Sequence, residues 1–354
     1  MSLDNNKNGI FPIEGTDNPE RELDILLMHG LGGDAFSTWQ YDNNTKYFWP
    51  KALLSDFPNI GVWTIGYGAS ASCWLEDVMS MEDRAENLLN QLTLKGIGER
   101  PFALITHSMG GLIAKYMLVQ AAQSNHPAYQ KIAQSCQGVI FLAVPHNGSG
   151  CSTILDYARI LVRGNEIVRQ LSKDSSALRQ LDRNFVQLSQ RLNLSCYAFF
   201  ETKEIRIRKK VFGIVPVSKG IQIVSESSAS SSFLKEPAIP MDDDHISICK
   251  LRSKEDQLYG NIVRIIKYLL SLNITATTST QTTIDTSQKT QLQPQKLHSL
   301  SDITASRNQK RLDFLYSQLD ALQNTYDLET RIEEKMRLQA LINAKQTDID
   351  QYIT

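Results

Sequence analysis

From residue 23 to about residue 270, short runs of apolar, β-branched residues alternate with longer stretches of helical spacing. That alternation predicts a parallel sheet covered by helices. The runs that read as strands are LDILLMHG (23–30), GVWTIGYG (61–68), FALITHS (102–108), GVIFLAVP (138–145), SCYAFFE (195–201) and IQIVSE (221–226). Nearly all are apolar on both faces, as central parallel strands are. None approaches the roughly 18 apolar residues needed to span a bilayer, so they predict buried strands and no transmembrane anchor.

A long insert separates the fourth and fifth runs, and within 151–193 the residues Ile167, Leu171, Leu178, Leu181, Phe185, Leu188 and Leu192 recur at helical intervals. The stripe predicts helices, either a cap over an active site or a layer packed on the sheet. The predicted α/β domain is 1–272. Beyond it, 273–306 is rich in threonine, glutamine and serine with little to bury, the composition of a flexible linker.

From 307 to 354 the spacing changes again. Leu312, Leu315, Leu319, Leu322 and Tyr326 alternate by three and four, and Ile332, Met336, Leu341, Ile349 and Ile353 form a second stripe. Thr330 stands three residues before Glu333, as a capping box requires at the start of a second helix. The expectation is an antiparallel helical hairpin of coiled-coil type. So short a pair buries one thin seam, which favours docking on a partner or self-association.

Composition narrows the partners. Lys and Arg number 37 against 38 Asp and Glu, which gives no bulk attraction to nucleic acid or an anionic membrane. The polar, acidic start lacks the charged-then-apolar pattern of a secretory signal, so a cytoplasmic protein is expected, with membrane contact at most peripheral. Cys73, Cys136, Cys151, Cys196 and Cys249 are odd in number and have no C-x-x-C spacing, which predicts free thiols. The same lack of ligand spacing argues against a zinc site.

The chemistry concentrates at LITHSMGG (104–111), where a strand must turn at once into a helix. Such a turn strains its apex residue and lifts that side chain clear of the sheet, which marks Ser108 as a nucleophile. Gly110 supplies a small neighbour on the C-terminal side, but Thr106 stands where glycine is usual. LLMHGLGGD (26–34) ends another strand in histidine and glycines, so the amides of Leu31 and Met109 are candidate donors to a developing oxyanion, and His29 would steady the glycine turn. MDDDHISICKLRS (241–253) places His245 in a late polar loop, where a general base is expected. The acid should close a strand between serine and histidine: Glu201 fits, with Glu226 its rival. Asp242, Asp243 and Asp244 lie too near His245 in sequence to orient it easily.

In that order HGLGG, THSMGG, FLAVPHNGS and DDDHISICK resemble the α/β-hydrolase superfamily over roughly residues 20 to 270. More narrowly, they resemble the lipase-like serine esterases related to the serine active site-containing protein family and to lipid-anchor deacylases. The resemblance implies a triad of Ser108, His245 and Glu201, an oxyanion hole at Leu31 and Met109, no cofactor, and hydrolysis of lipid-like or other acyl esters. The hairpin resembles adaptor helix pairs of bacterial signalling and defence proteins, which implies a regulated effector lipase. The competing expectation is a catalytically idle scaffold acting through the hairpin, because fold alone never proves activity.

Overall fold

In the computed structural model, residues 8–41, 48–68, 80–146, 175–205 and 220–281 are described, with Gln339, Asn343 and Gln346 beyond them. The chain divides into two compact units, Met1–Ile284 and Asp285–Thr354. The hairpin expected at 307–354 lies almost wholly outside the described residues, as do residues 69–79, 147–174 and 206–219.

The first unit is built on a seven-stranded sheet: β1 (Gly9–Glu14), β2 (Leu23–Met28), β3 (Ile60–Gly66), β4 (Phe102–His107), β5 (Cys136–Leu142), β6 (Ser195–Glu201) and β7 (Ile239–Met241). Its spatial order is β1-β3-β2-β4-β5-β6-β7. Only β1 runs antiparallel to its neighbour; the other pairs are parallel. Among the described residues the α-helices are α1 (Ala52–Asp56), α2 (Met81–Leu94), α3 (Met109–Gln123), α4 (Pro127–Ser135), α5 (Ser175–Leu192), α6 (Glu226–Ala229) and α7 (Gln257–Gln281). Strands β2, β3, β4 and β6 are buried at every position, the consequence of helices on both faces.

The two edges depart from the sequence expectation. β1 pairs with β3 through a stretch in which Ile10 alone is buried and Pro12 interrupts the donors, tolerable only at an edge. At the other edge, β7 is a three-residue strand around Pro240. The strand expected at 221–226 does not form. Ile221 makes one isolated bridge to Ile205, and Ile223 and Val224 are buried where the chain folds over the end of β6.

Of the insert, only α5 is described, and it is a layer helix rather than a cap. Leu178, Leu181, Phe185 and Leu188 are buried, and Phe185 meets Phe141 of β5 and Phe233 edge-on, with ring centroids 6.1 and 5.0 Å away. Lys115 of α3 is buried beneath these three rings and is paired with Asp182 of α5 at 2.8 Å. This buried charge thus ties α3 to α5 inside the core.

α7 runs past the predicted domain end at 272, so the first part of the expected linker is helical as far as Gln281. Extending an existing helix requires no new nucleus. Asn273 fixes it near the sheet, donating to the Glu22 carbonyl at 3.1 Å and accepting from Gln137. Among the described residues, no helix is long and apolar enough to cross a membrane.

Candidate active site

Because β2 and β4 through β7 run parallel, the segments that follow them all emerge at one edge of the sheet. Ser108 follows β4, one of the central strands, and stands at φ 51°, ψ −127°, a conformation rarely adopted by a residue with a Cβ. Its amide donates to the Leu142 carbonyl at 3.0 Å, and its carbonyl accepts from Gly111 at 3.0 Å. The strain anticipated from sequence is therefore held from both sides.

Glycines make the turn sterically possible. A Cβ at Gly110 would lie 2.2 Å from the His29 carbonyl oxygen, and one at Gly30 would lie 2.7 Å from the Ser108 Cβ. The unusual Thr106 is accommodated by a shifted glycine: a Cβ at Gly111 would sit 3.1 Å from Thr106 Oγ1 and 2.5 Å from Val144. The space that glycine at 106 would normally leave is supplied by the second glycine of the helix start. Gly111→Ala should cost about 1–3 kcal/mol by overpacking, read as a lower urea midpoint. Val144→Ala in the same chain should recover part of that loss, whereas strict additivity of the two changes would show that the crowding lies elsewhere.

The structure brings the three sequence-predicted side chains together. His245 Nε2 lies 2.9 Å from Ser108 Oγ, and its Nδ1 lies 3.2 Å from Glu201 Oε1. Ser108 is 1% exposed, and His245 and Glu201 are fully buried. A carboxylate can only accept, so Nδ1 carries the proton and Nε2 is left to accept from the serine hydroxyl. Glu201 is held by its place as the last residue of β6 and by the Val224 amide, which donates to the same Oε1 at 2.6 Å.

Glu226, the rival acid, is corrected: it opens α6 with an exposed side chain, because the run expected to end there as a strand folds over β6 instead. The aspartates before His245 shape its loop. Asp244 Oδ1 accepts the amides of Ile246 and Ser247 at 2.9 and 2.8 Å, and Asp243 accepts the Ser247 hydroxyl at 3.1 Å. Cys249 is buried and its thiol is pushed up to about 12, mainly by desolvation, which removes it as a nucleophile.

Leu31 is buried in the turn after β2, and Met109 is the first residue of α3, where an amide has no acceptor within its own helix. His29 fixes that glycine turn. Its Nδ1 donates to the Gly30 carbonyl at 2.9 Å, leaving Nε2 to accept the Tyr67 amide at 3.3 Å. The Tyr67 hydroxyl donates to the His29 carbonyl at 2.6 Å, and the two rings stack 4.4 Å apart. Burial lowers His29 to about 4, so the clasp is neutral. Tyr67 could not be found from sequence, since nothing in GYG distinguishes its partner 38 positions away.

No family model matches the chain. It is 32% identical over 273 residues to Protein SERAC1 of Bos taurus, a match taking in 72% of this chain and 40% of that protein. Against Protein SERAC1 of Homo sapiens it is 30% identical over 273 residues, with the same shares. The chain thus spans about 40% of the length of these curated relatives. Among solved structures, a carboxylesterase of the Thaumarchaeon Nitrososphaera gargenis is 13% identical, with a TM-score of 0.40 over 77% of this chain and 99% of the other. The RedJ thioesterase of Streptomyces coelicolor is 13% identical, with a TM-score of 0.39 over 71% and 89%. The mostly parallel sheet with one antiparallel edge, its flanking helices and the sharp strand-to-helix turn at Ser108 after a central strand give this chain the α/β-hydrolase fold.

Proposed function

We propose that the chain is a serine hydrolase that cleaves carboxylic esters, acyl esters of lipids among them, through an acyl-enzyme on Ser108. The observation that carries this reading is the unbroken relay from Ser108 Oγ through the His245 imidazole to Glu201. His245 Nε2 takes the hydroxyl proton as Oγ attacks the acyl carbon, and the Glu201 carboxylate stabilises the imidazolium that forms. The amides of Leu31 and Met109 receive the negative oxygen of the tetrahedral intermediate, helped by the positive end of the α3 dipole. The imidazolium then protonates the departing alkoxide; a water deprotonated by His245 attacks the acyl carbon, and His245 returns that proton to Ser108 Oγ as the carboxylic acid is released.

Such a site needs no metal, since the developing charge is met by protein amides. A regulatory role for 307–354, through a partner or a second copy, belongs to the same proposal and rests on its leucine spacing alone. The test is a panel of p-nitrophenyl esters of increasing acyl length beside matched thioesters and anilides. Turnover of the esters above the buffer rate, with thioesters equal or slower and anilides slowest, is expected. A folded wild-type chain that turns over no member of the panel would favour the idle scaffold.

A further inference from the structure

The residue before the serine reaches the backbone of the candidate base. His107 closes β4 and is 7% exposed, and its Nε2 lies 2.7 Å from the backbone carbonyl oxygen of His245. A carbonyl can only accept, so His107 Nε2 bears the proton and Nδ1 is the bare nitrogen. Nδ1 faces the oxyanion turn, 2.9 Å from the place a Cβ would occupy on Gly30. The two imidazole rings lie 5.1 Å apart at 46°.

We propose that His107 is a positioning residue that anchors the His245 backbone at the sheet edge through its Nε2–H, so that the base stays in register while Ser108 is acylated. This rests on the serine-hydrolase reading. His245 is also held through its ring, and its ring contacts to Ser108 and Glu201 both change during turnover. The bond to Ser108 Oγ is lost when that oxygen becomes an ester, and the bond to Glu201 changes strength as the imidazole gains and loses a proton. The backbone contact to His107 is untouched by the chemistry.

His107 also suits this place because it does not acquire a charge. Burial first, then the neighbouring charge of His245, with smaller contributions from His29 and Lys250, lowers it to about 3. A neutral donor leaves the imidazolium of His245 without a cationic rival beside it. It also ties the strand that presents the serine to the late loop after β7, close beside the glycine turn after β2.

The test compares full-length wild type with His107→Leu and His107→Gln; leucine removes the donor, and the glutamine amide restores an N–H at similar reach. On a p-nitrophenyl ester that the wild type cleaves, kcat of His107→Leu should fall about 10- to 100-fold without a rise in KM, as expected when a reacting group is displaced by about an ångström. His107→Gln should recover most of that loss. Wild-type kcat in a folded His107→Leu, or a glutamine variant as impaired as leucine, would overturn the proposal.

A second measurement needs neither substrate nor variant. Side-chain ¹⁵N NMR of the wild type should show His107 as the neutral Nε2–H tautomer at pH 7, and an Nδ1–H tautomer or an imidazolium there would also overturn it. Absence of fluorophosphonate labelling in the wild type would instead remove the hydrolase reading, and the tautomer would still decide whether His107 anchors the loop.

Discussion

Ser108→Ala is expected to reduce ester turnover by about 10⁵- to 10⁶-fold, the scale seen when one member of a cooperating triad is removed, with a residual rate above buffer from the oxyanion donors. The argument depends on how little else the change touches. Alanine retains the Cβ already accommodated at φ 51°, and the backbone bonds to Leu142 and Gly111 do not involve the hydroxyl. What is lost is one oxygen and its 2.9 Å contact with His245. The urea midpoint should therefore stay close to that of the wild type while the rate collapses, and parallel measurement of both separates loss of a nucleophile from loss of the fold.

Glu201→Gln is expected to have the next largest effect, about 10²- to 10⁴-fold in kcat, as when an orienting carboxylate becomes an amide. If the amide oxygen takes the place of Oε1, it still accepts from Val224 and from His245 Nδ1, so the geometry survives. The negative charge does not, and the imidazolium formed in each half-reaction is left uncompensated in a fully buried site. If the amide nitrogen turns inward, it opposes both donors and His245 is pushed toward the wrong tautomer. Glu226→Gln supplies the contrast: on the exposed face of α6 it should leave kcat within about 2-fold. Equal losses from the two variants would point to an electrostatic influence spread over the rim and against a specific acid.

Much of this site was legible in the sequence because its parts obey local rules. A strand that must turn at once into a helix needs Gly110, and its apex is fixed by chain geometry; Ser108 and His245 then follow from their order along a parallel sheet whose carboxyl ends share one edge, an order that left the acid between Glu201 and Glu226 until the buried end of β6 decided it. The edge strands were not legible. β1 buries a single apolar residue and β7 spans three positions around a proline, too little periodicity to separate them from loop. The run at 221–226 carried strand-like alternation yet is pulled over β6 by the Val224 amide bonding to Glu201, a tertiary contact with no local signature. The same is true of Tyr67 on His29, of Lys115 beneath three phenylalanines, and of His107 on the carbonyl of His245.

The central claim is that this serine, at this strained turn, is a nucleophile activated by the imidazole beside it. Intact-protein mass spectrometry after treatment with a fluorophosphonate, followed by peptide mapping, tests it most directly. One adduct per chain on the peptide bearing Ser108, slowed by His245→Ala and absent from Ser108→Ala, is the result predicted here. A folded wild-type chain that stays unmodified, or one modified at another residue while Ser108 remains free, would contradict it.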